Sequence, residues 1–343
     1  MSTIKIGNFF PDYWVYGQYE QRLLNSIVSQ VDKTWPDGNN VVFSLTWNGP
    51  QTLQELDNLS KPVDRLFLVS TVDFVPDITP EYVQRVEPKE LYQLGNFDSE
   101  YRFNFFAIVC LDHFAEYNTE DLILRDLKYR WINYNRKPYE HRRQFVHKLK
   151  NDNLLSTGIV TLGRNFPGDP RPELYLSIGE RDEDYQKYGH WYAPGNQDTP
   201  HEIPHDLFSL HNWHYWQHHF LHIVGCTYWG QHVCTENDHL FVNQIDFKPI
   251  LGLRPFVING QTRKYAWWRD QGFRTFESWF PTDLVTQSTL HEELIKTIKY
   301  INSLSLEQLQ NMYNEMLPDL LHNRQHWFEW AKEQKRRAGA LFE

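Results

Sequence analysis

Four basic side chains cluster where a predicted strand passes into a predicted helix: Arg136, Lys137, Arg142 and Arg143. Basic residues at the start of a helix oppose the helix dipole, so a merely solvated helix turn is the less favoured interpretation. A helix N-terminus carries partial positive charge, and a planar guanidinium can bind two phosphate oxygens at once. The turn therefore suits a diphosphate, and we expect Asn135, Arg136 and Arg142 to bind it.

Five polar side chains belong to two further predicted elements. Thr227 and Tyr228 follow a buried strand at 219–224, and a helix at 244–251 carries Gln244, Asp246 and Lys248. Open α/β sheets bind their ligands at the carboxyl ends of parallel strands. Each of these side chains is a weak signal when taken singly. Together they are expected to bind the same ligand as the basic turn.

Carboxylates that follow predicted strands are candidates for a general base, which a reaction at a hydroxyl group needs. Asp12 lies in an aromatic loop after the first strand, and Asp73 follows a strand predicted at 65–70. Asp112 follows a strand predicted at 103–110. Helix caps and turns are the commoner places for aspartate, so each candidate has a structural alternative. We rank Asp12 and Asp73 first.

Histidines recur at helical spacing before one of these strands: His211, His214, His218 and His222, with His219 beside them. Two histidines at i and i+4 of one helix can bind zinc. However, the glutamate of an HExxH motif is absent, and the apolar residues around His222 indicate that a strand has begun there. We therefore favour histidines packed with Trp213 and Trp216 over a metal site, and predict no bound metal.

Alternating strands and helices recur twice along the chain, and the two series predict two α/β domains, 1–127 and 128–343. Both are expected to be Rossmann-like and doubly wound, with a cleft between them as the default ligand site. A helix over 305–335 is expected to break near Pro318. Its C-terminal part is expected to pack on the first domain, because its aromatic face is too apolar for water.

Composition narrows the class of protein. The 343 residues carry a net charge of −10, which argues against a general electrostatic grip on nucleic acid or on a membrane. Three scattered cysteines do not form a disulfide framework, and no apolar run is long enough to span a membrane. Neither GxGxxG nor GxxxxGKS/T occurs. With no leader sequence visible, we expect a cytoplasmic protein; the oligomeric state stays open.

Five motifs, taken in order, resemble the donor-binding half of a family of glycosyltransferases from bacteria and phages. They are Asn135-Arg136-Lys137-Pro138 with His141-Arg142, Gly158-Ile-Val, Phe220-Leu-His-Ile-Val-Gly, the run from Phe247 to Val257, and Gly272-Phe-Arg-Thr-Phe. The resemblance covers about residues 128–280. This family is distantly similar to the C-terminal domain of fucosyltransferases and exostosins, and it has the GT-B architecture of two Rossmann-like domains.

The resemblance implies transfer of a sugar from a nucleotide-sugar donor to a hydroxyl acceptor, which is a glycan or a modified DNA base. The reaction would be inverting and metal-independent, with no permanently bound cofactor. The family carries Thr-Glu-Lys where this chain has Asn243-Gln244-Ile245, so the residues expected to bind the donor ribose and diphosphate are replaced. Two alternatives stay open: a non-catalytic nucleotide- or sugar-binding protein of the same fold, and a metal-dependent hydrolase that uses the histidines.

Overall fold

The computed structural model describes residues 3–6, 15–44, 58–59, 62–70, 86–95, 103–115, 117–135, 139–162, 210, 213–226, 229, 240 and 242–339. The chain forms two compact units. Unit 1 is Met1–Asp112, Cys234–Asn243 and Glu329–Glu343, and unit 2 is His113–Val233 and Gln244–Phe328. The sequence-based boundary at 127–128 stays a prediction.

Unit 1 contains a parallel sheet, sheet 1, whose four strands lie in the order of the chain: β1 (Ile4–Ile6), β2 (Asn40–Ser44), β3 (Arg65–Ser70) and β4 (Glu90–Gly95). Helix α1 (Val15–Thr34) joins β1 to β2 and buries Leu24, Ile27 and Val31, which recur at helical spacing. Every residue of β2 is buried, as is usual for a parallel strand covered on both faces. The strand predicted at 65–70 is confirmed.

The strand predicted at 103–110 is wrong, because these residues begin helix α2 (Phe105–Phe114). A short apolar run is compatible with a buried strand and with a buried helix, so its periodicity does not separate the two. The local signal for the helix is Asn104, whose side-chain oxygen accepts a hydrogen bond of 3.0 Å from the backbone N–H of Ala107. Asp112 therefore lies inside a helix and not at the carboxyl end of a strand.

Unit 2 contains a second parallel sheet, sheet 2, with the strand order β6-β5-β7-β8. Its strands are β5 (Tyr129–Asn135), β6 (Ile159–Leu162), β7 (His219–Gly225) and β8 (Phe256–Asn259). Trp131, Phe220 and Val257 are among the fully buried residues that form its core. The molecule thus has an α/β fold with two four-stranded parallel sheets, which is compatible with two Rossmann-like domains.

Seven helices follow α2 in the described part of the chain: α3 (Thr119–Leu122), α4 (Glu140–Asn151), α5 (Trp213–His218), α6 (Gln244–Leu251), α7 (Lys264–Asp270), α8 (Leu290–Ser303) and α9 (Leu306–Gly339). Short 3-10 turns occur at Leu155–Thr157, Glu277–Trp279 and Gln287–Thr289. The helix predicted at 244–251 is confirmed. None of the described helices is long and apolar enough to cross a membrane.

Helix α9 continues through Pro318, so the predicted break there is wrong. A proline removes one backbone hydrogen bond, which here leaves the carbonyl group of Asn314 without its helical donor. Both Asn314 and Pro318 are exposed, so water can bind that carbonyl group. On the opposite face Tyr313, Met316 and Leu320 are buried, and their packing keeps the helix in place.

Candidate ligand site at the carboxyl edge of sheet 2

Sheet 2 has a topological switch point between β5 and β7. The chain passes from β5 to β6 on one side and then returns to place β7 on the other side of β5. Connections that leave a strand in opposite directions open a crevice at the carboxyl ends of the strands, where α/β proteins bind ligands. The side chains that surround this crevice are therefore the candidates for a ligand site.

Two asparagines, Asn133 and Asn135, lie at the carboxyl end of β5, next to the crevice. Asn133 donates to the carbonyl oxygen of Ile223 in β7 at 2.8 Å, and Asn135 donates to the side-chain oxygen of Asn133 at 2.5 Å. Gly225 ends β7 beside them, and a Cβ atom at this position would lie 2.4 Å from the side-chain oxygen of Asn135. The glycine therefore makes room for Asn135 at the switch point.

Arg142, in the first turn of α4, joins that helix to the end of β7. Its guanidinium donates to the carbonyl oxygens of Cys226 at 2.9 Å and Gly225 at 2.6 Å, and it lies 4.9 Å from the centre of the Tyr139 ring. The side chain is buried. These contacts hold Arg142 at the edge of the crevice, and its predicted role in binding a diphosphate stays a prediction.

His141 and His291 both lie next to the ring of Trp229. The Trp229 ring is 5.5 Å from that of His141 and 4.2 Å from that of His291, measured between centroids. Burial, followed by the charge of Arg142, lowers the pKa of His141 to about 3. Burial likewise lowers the pKa of His291 to about 4. Both imidazoles are therefore neutral at pH 7, and neither supplies positive charge to a ligand.

The hydrogen bonds of the two imidazoles fix their orientation. His141 Nε2 lies 3.0 Å from the carbonyl oxygen of Cys226, which can only accept, so the proton is on Nε2. In the neutral ring Nδ1 is then an acceptor, suited to a hydroxyl group. His291 Nε2 lies 3.2 Å from the side-chain oxygen of Asn259, at the end of β8. Sequence reasoning missed both Asn259 and His291; the signal for Asn259 is its place at the end of the apolar run at 256–258.

A buried ion pair joins α6 to α7 next to the end of β7. Lys264 Nζ lies 2.7 and 2.8 Å from the two carboxylate oxygens of Asp246 and 3.2 Å from Cys226 Sγ. Burial by itself would lower the pKa of Lys264, but the Asp246 carboxylate raises it. Burial raises the pKa of Cys226 to about 12, so its thiol stays protonated. Asp246 was predicted to bind a cofactor, and its carboxylate is engaged by Lys264.

At this edge, Oε1 of Gln244 and Nδ2 of Asn259 are buried polar atoms with no hydrogen-bond partner among the described residues. Their residues are 6% and 0% exposed. An unpaired buried polar atom costs about 1–3 kcal/mol, so such atoms are rare in folded proteins unless something else binds them. Gln244 begins α6 and Asn259 ends β8, at the edge where the fold places a ligand.

We use the name carboxyl-edge cluster for the residues described above: Asn135, His141, Arg142, Cys226, Gln244, Asp246, Asn259, Lys264 and His291. Lys248 is buried in α6, four residues beyond Gln244 and hence about 6 Å farther along the helix axis. The remaining predicted site residues lie outside the described part of the chain: Asp12, Asp73, Arg136, Thr227 and Tyr228.

The four histidines do not lie along one helix, because α5 ends at His218 and β7 begins at His219, where the sequence predicts a strand. His214 contacts the hydroxyl group of Tyr129 at 3.1 Å, and His218 Nδ1 donates to the carbonyl oxygen of Asp126 at 2.7 Å. His211 lies outside the described residues. No group of three metal-binding side chains is found within the described ranges.

Comparison of the chain with family models, curated proteins and solved structures finds no match. The class that the structure itself defines is an α/β protein with parallel sheets, one of which carries a polar switch-point crevice. The site is therefore interpreted from its own residues.

Proposed function

We propose that this protein is a glycosyltransferase of GT-B architecture, and that the carboxyl edge of sheet 2 binds its nucleotide-sugar donor. The observation that carries the proposal is the switch point between β5 and β7, because β5 ends there at Asn135 and the basic residues Arg136 and Lys137 follow at once. The next helix, α4, begins after this basic turn. Tyr139 at its N-cap makes no side-chain capping hydrogen bond, and a helix N-terminus of this kind suits an anion.

The proposed roles follow from the chemistry of each group. Arg136 and the N-terminus of α4 bind the diphosphate and stabilise the charge that grows on it as the sugar leaves. Lys248 stays a predicted diphosphate ligand. The open Oε1 atom of Gln244 and Nδ1 of His141 are acceptors, so they suit hydroxyl groups of ribose or sugar. Asp12 and Asp73 stay the predicted general bases for the acceptor hydroxyl.

Donor binding is tested by thermal unfolding of the full chain with a panel of UDP-, GDP-, ADP- and dTDP-sugars. We expect the sugars of one nucleotide to raise the midpoint temperature of unfolding in a saturable manner. A ligand at a hundred times its dissociation constant adds about 2.7 kcal/mol to the free energy of unfolding. The matched nucleoside monophosphate, which lacks the diphosphate, is expected to raise it less. If no member of the panel changes the midpoint, the proposed donor site is wrong.

A non-catalytic nucleotide- or sugar-binding protein is the second candidate. It is favoured by the ion pair of Asp246 with Lys264 and by Ile245, which stands where the resembled family has a lysine. Because of these two features, less positive charge is available to stabilise a leaving diphosphate. Release of nucleoside diphosphate from the bound donor, followed over time with and without glycan acceptors, separates the two. A transferase releases it in each turnover, whereas a binding protein only exchanges intact donor.

A further inference from the structure

Arg324 of α9 is a buried arginine whose donors are mostly unused. Its residue is 5% exposed, and its Nη2 atom donates to the carbonyl oxygen of Tyr117 at 2.6 Å. The Nε and Nη1 atoms are buried and have no hydrogen-bond partner in the part of the chain that the structure describes. No carboxylate in the described part of the chain is paired with it. Burial lowers the pKa of Arg324 to about 10, which still leaves the guanidinium charged at pH 7.

Arg254, another buried arginine of unit 2, has hydrogen-bond acceptors for all of its guanidinium nitrogens. Its Nε and Nη2 atoms both donate to the carbonyl oxygen of Trp216, at 3.2 and 2.7 Å. Its Nη1 atom lies 2.6 Å from the carbonyl oxygen of Leu122, with two further carbonyl oxygens within 3.2 Å. Every nitrogen of Arg254 thus has an acceptor, whereas Arg324 has one acceptor for three nitrogens. Because buried polar groups are normally paired, Arg324 lacks a partner that should be there.

The free donors of Arg324 form a fork. A guanidinium has two edges that can bind two oxygens, one formed by Nε with Nη2 and the other by Nη1 with Nη2. Nη2 has one N–H on each edge, and Tyr117 uses only one of them. The other edge therefore keeps both of its N–H groups, which is the geometry that carboxylate and phosphate oxygens fit.

An aromatic ring lies against this guanidinium. Its central carbon is 4.9 Å from the centre of the Phe328 ring, and Tyr117, which supplies the one acceptor, has its own ring 5.7 Å from that of Phe114 and 5.8 Å from that of Trp213. The guanidinium is buried, and a buried position strengthens an interaction between charged groups. All of these residues belong to unit 2, and none of them is in the carboxyl-edge cluster.

We propose that Arg324 is the centre of a second ligand site, which binds an oxyanion, the phosphate or carboxylate group of a small molecule, through the open edge of its guanidinium. The site does not depend on the proposed transferase activity. An oxyanion supplies the two acceptors that the fork lacks and neutralises a charge that no described side chain balances.

Thermal unfolding of the full chain in inorganic phosphate tests the proposal, with sodium chloride at equal ionic strength as the reference and sodium acetate as the carboxylate probe. We expect a saturable rise in the midpoint with phosphate or with acetate, and the stronger of the two identifies the anion. Arg324→Met should weaken this binding by about tenfold or more, since hydrogen bonds to charged groups are lost. Arg324→Lys keeps the charge but not the fork, so it should restore little of the binding.

Arg130→Met is the matched control. Arg130 is also a partly buried arginine of unit 2, but its Nη1 atom is occupied by the carbonyl oxygens of Ile301 and Leu304 at 2.9 and 2.6 Å. Arg130→Met should keep the anion-dependent rise in the unfolding midpoint, whether or not the substitution changes stability. Without added anion, Arg324→Met should be no less stable than the parent, because it removes unpaired buried donors. The proposal is overturned if neither anion gives a saturable rise in the parent, or if Arg324→Met responds like the parent.

Discussion

Sheets 1 and 2 have the same number of parallel strands, and only their order differs. In sheet 1 each strand lies next to the one before it, so the described strands contain no switch point. In sheet 2 the order reverses at β5, and polar side chains surround the crevice that results. Strand order, more than composition, thus separates the unit that carries the candidate site from the unit that does not.

The strand ends also differ between the two sheets. Ser44, Ser70 and Gly95 end three strands of sheet 1, and a Cβ atom at Gly95 would lie 2.2 Å from the backbone oxygen of Ser70. Strands of sheet 2 end at Asn135 and Asn259, and buried ionisable side chains lie beside them. In sheet 1 a described ion pair, Asp64 with Lys89, lies at the amino end and is exposed. Buried charge is therefore the feature that should distinguish the two units experimentally.

Breaking the buried ion pair of unit 2 should have the largest effect on stability. Lys264→Met leaves the carboxylate of Asp246 buried without its partner, and we expect a loss of about 3–5 kcal/mol in the free energy of unfolding, measured in urea. Lys89→Met in unit 1 removes an exposed partner and should change stability little. The double variant Asp246→Leu/Lys264→Met should recover much of the loss. Equal effects of Lys264→Met and Lys89→Met would contradict the contrast between the units.

Acid should destabilise unit 2 before unit 1. His141 and His291 have pKa values near 3 and 4 when folded and near 6.5 when unfolded, so only the unfolded state takes up their protons as the pH falls below 6.5. At pH 5 each histidine should therefore cost about 2 kcal/mol relative to pH 7. Residues 1–112 contain no histidine. The carboxyl group of Asp64, whose pKa is lowered by its hydrogen bond to Lys89, loses its stabilising effect only below about pH 4.

Hydrogen exchange at pH 7 and pH 5, corrected for the intrinsic rates, measures this difference region by region. The amides of β5 and β7 should lose protection between the two values, while those of β2 and β3 should keep it. The amides of β5 and β7 should lose less protection between pH 7 and pH 5 in the variant His291→Gln than in the parent. Equal loss of protection in the two sheets would show that the histidines are not the cause.

The smallest effect concerns the start of α2 in unit 1. The side chain of Asn104 accepts from Ala107 and also donates to the carbonyl oxygen of Val242 at 2.9 Å, and its backbone N–H donates to Gln334 at 3.0 Å. Asn104→Ala should cost about 1 kcal/mol, as the loss of a helix N-cap commonly does. Asn104→Asp keeps the acceptor and should cost less. An unchanged urea midpoint in Asn104→Ala would argue against this cap.

The sequence predicts helices and strands well where a periodic pattern of apolar residues, or a continuous apolar run, is long. Strands β3 and β7 and helix α6 lie where the sequence predicts them. It does not predict β4, whose six residues, Glu-Leu-Tyr-Gln-Leu-Gly, contain no β-branched side chain. It also assigns α2 to the wrong class, since an apolar run of that length fits either structure.

The candidate site is harder to predict because its contacts join residues far apart in sequence. The pairing of Asp246 with Lys264 crosses eighteen positions, and Arg142 reaches carbonyl groups more than eighty positions away. Residue type and the order of strands and helices were enough to name Asn135, Gln244 and Asp246 and to place them at the carboxyl edge. The partners of these side chains, and the contacts that join α4 to β7 through Arg142, were not accessible from the sequence.

The central claim, a donor site at the switch point of sheet 2, is tested most directly at Arg136, the first residue after β5. Arg136→Ala and the control Arg336→Ala remove the same charge, and Arg336 is an exposed residue whose guanidinium pairs with Glu333. With the sugar nucleotide that the panel identifies, Arg136→Ala should lower turnover by about 10²–10³-fold and weaken donor binding, while Arg336→Ala should match the parent. If both variants bind and turn over the donor like the parent, the donor site is not at this edge.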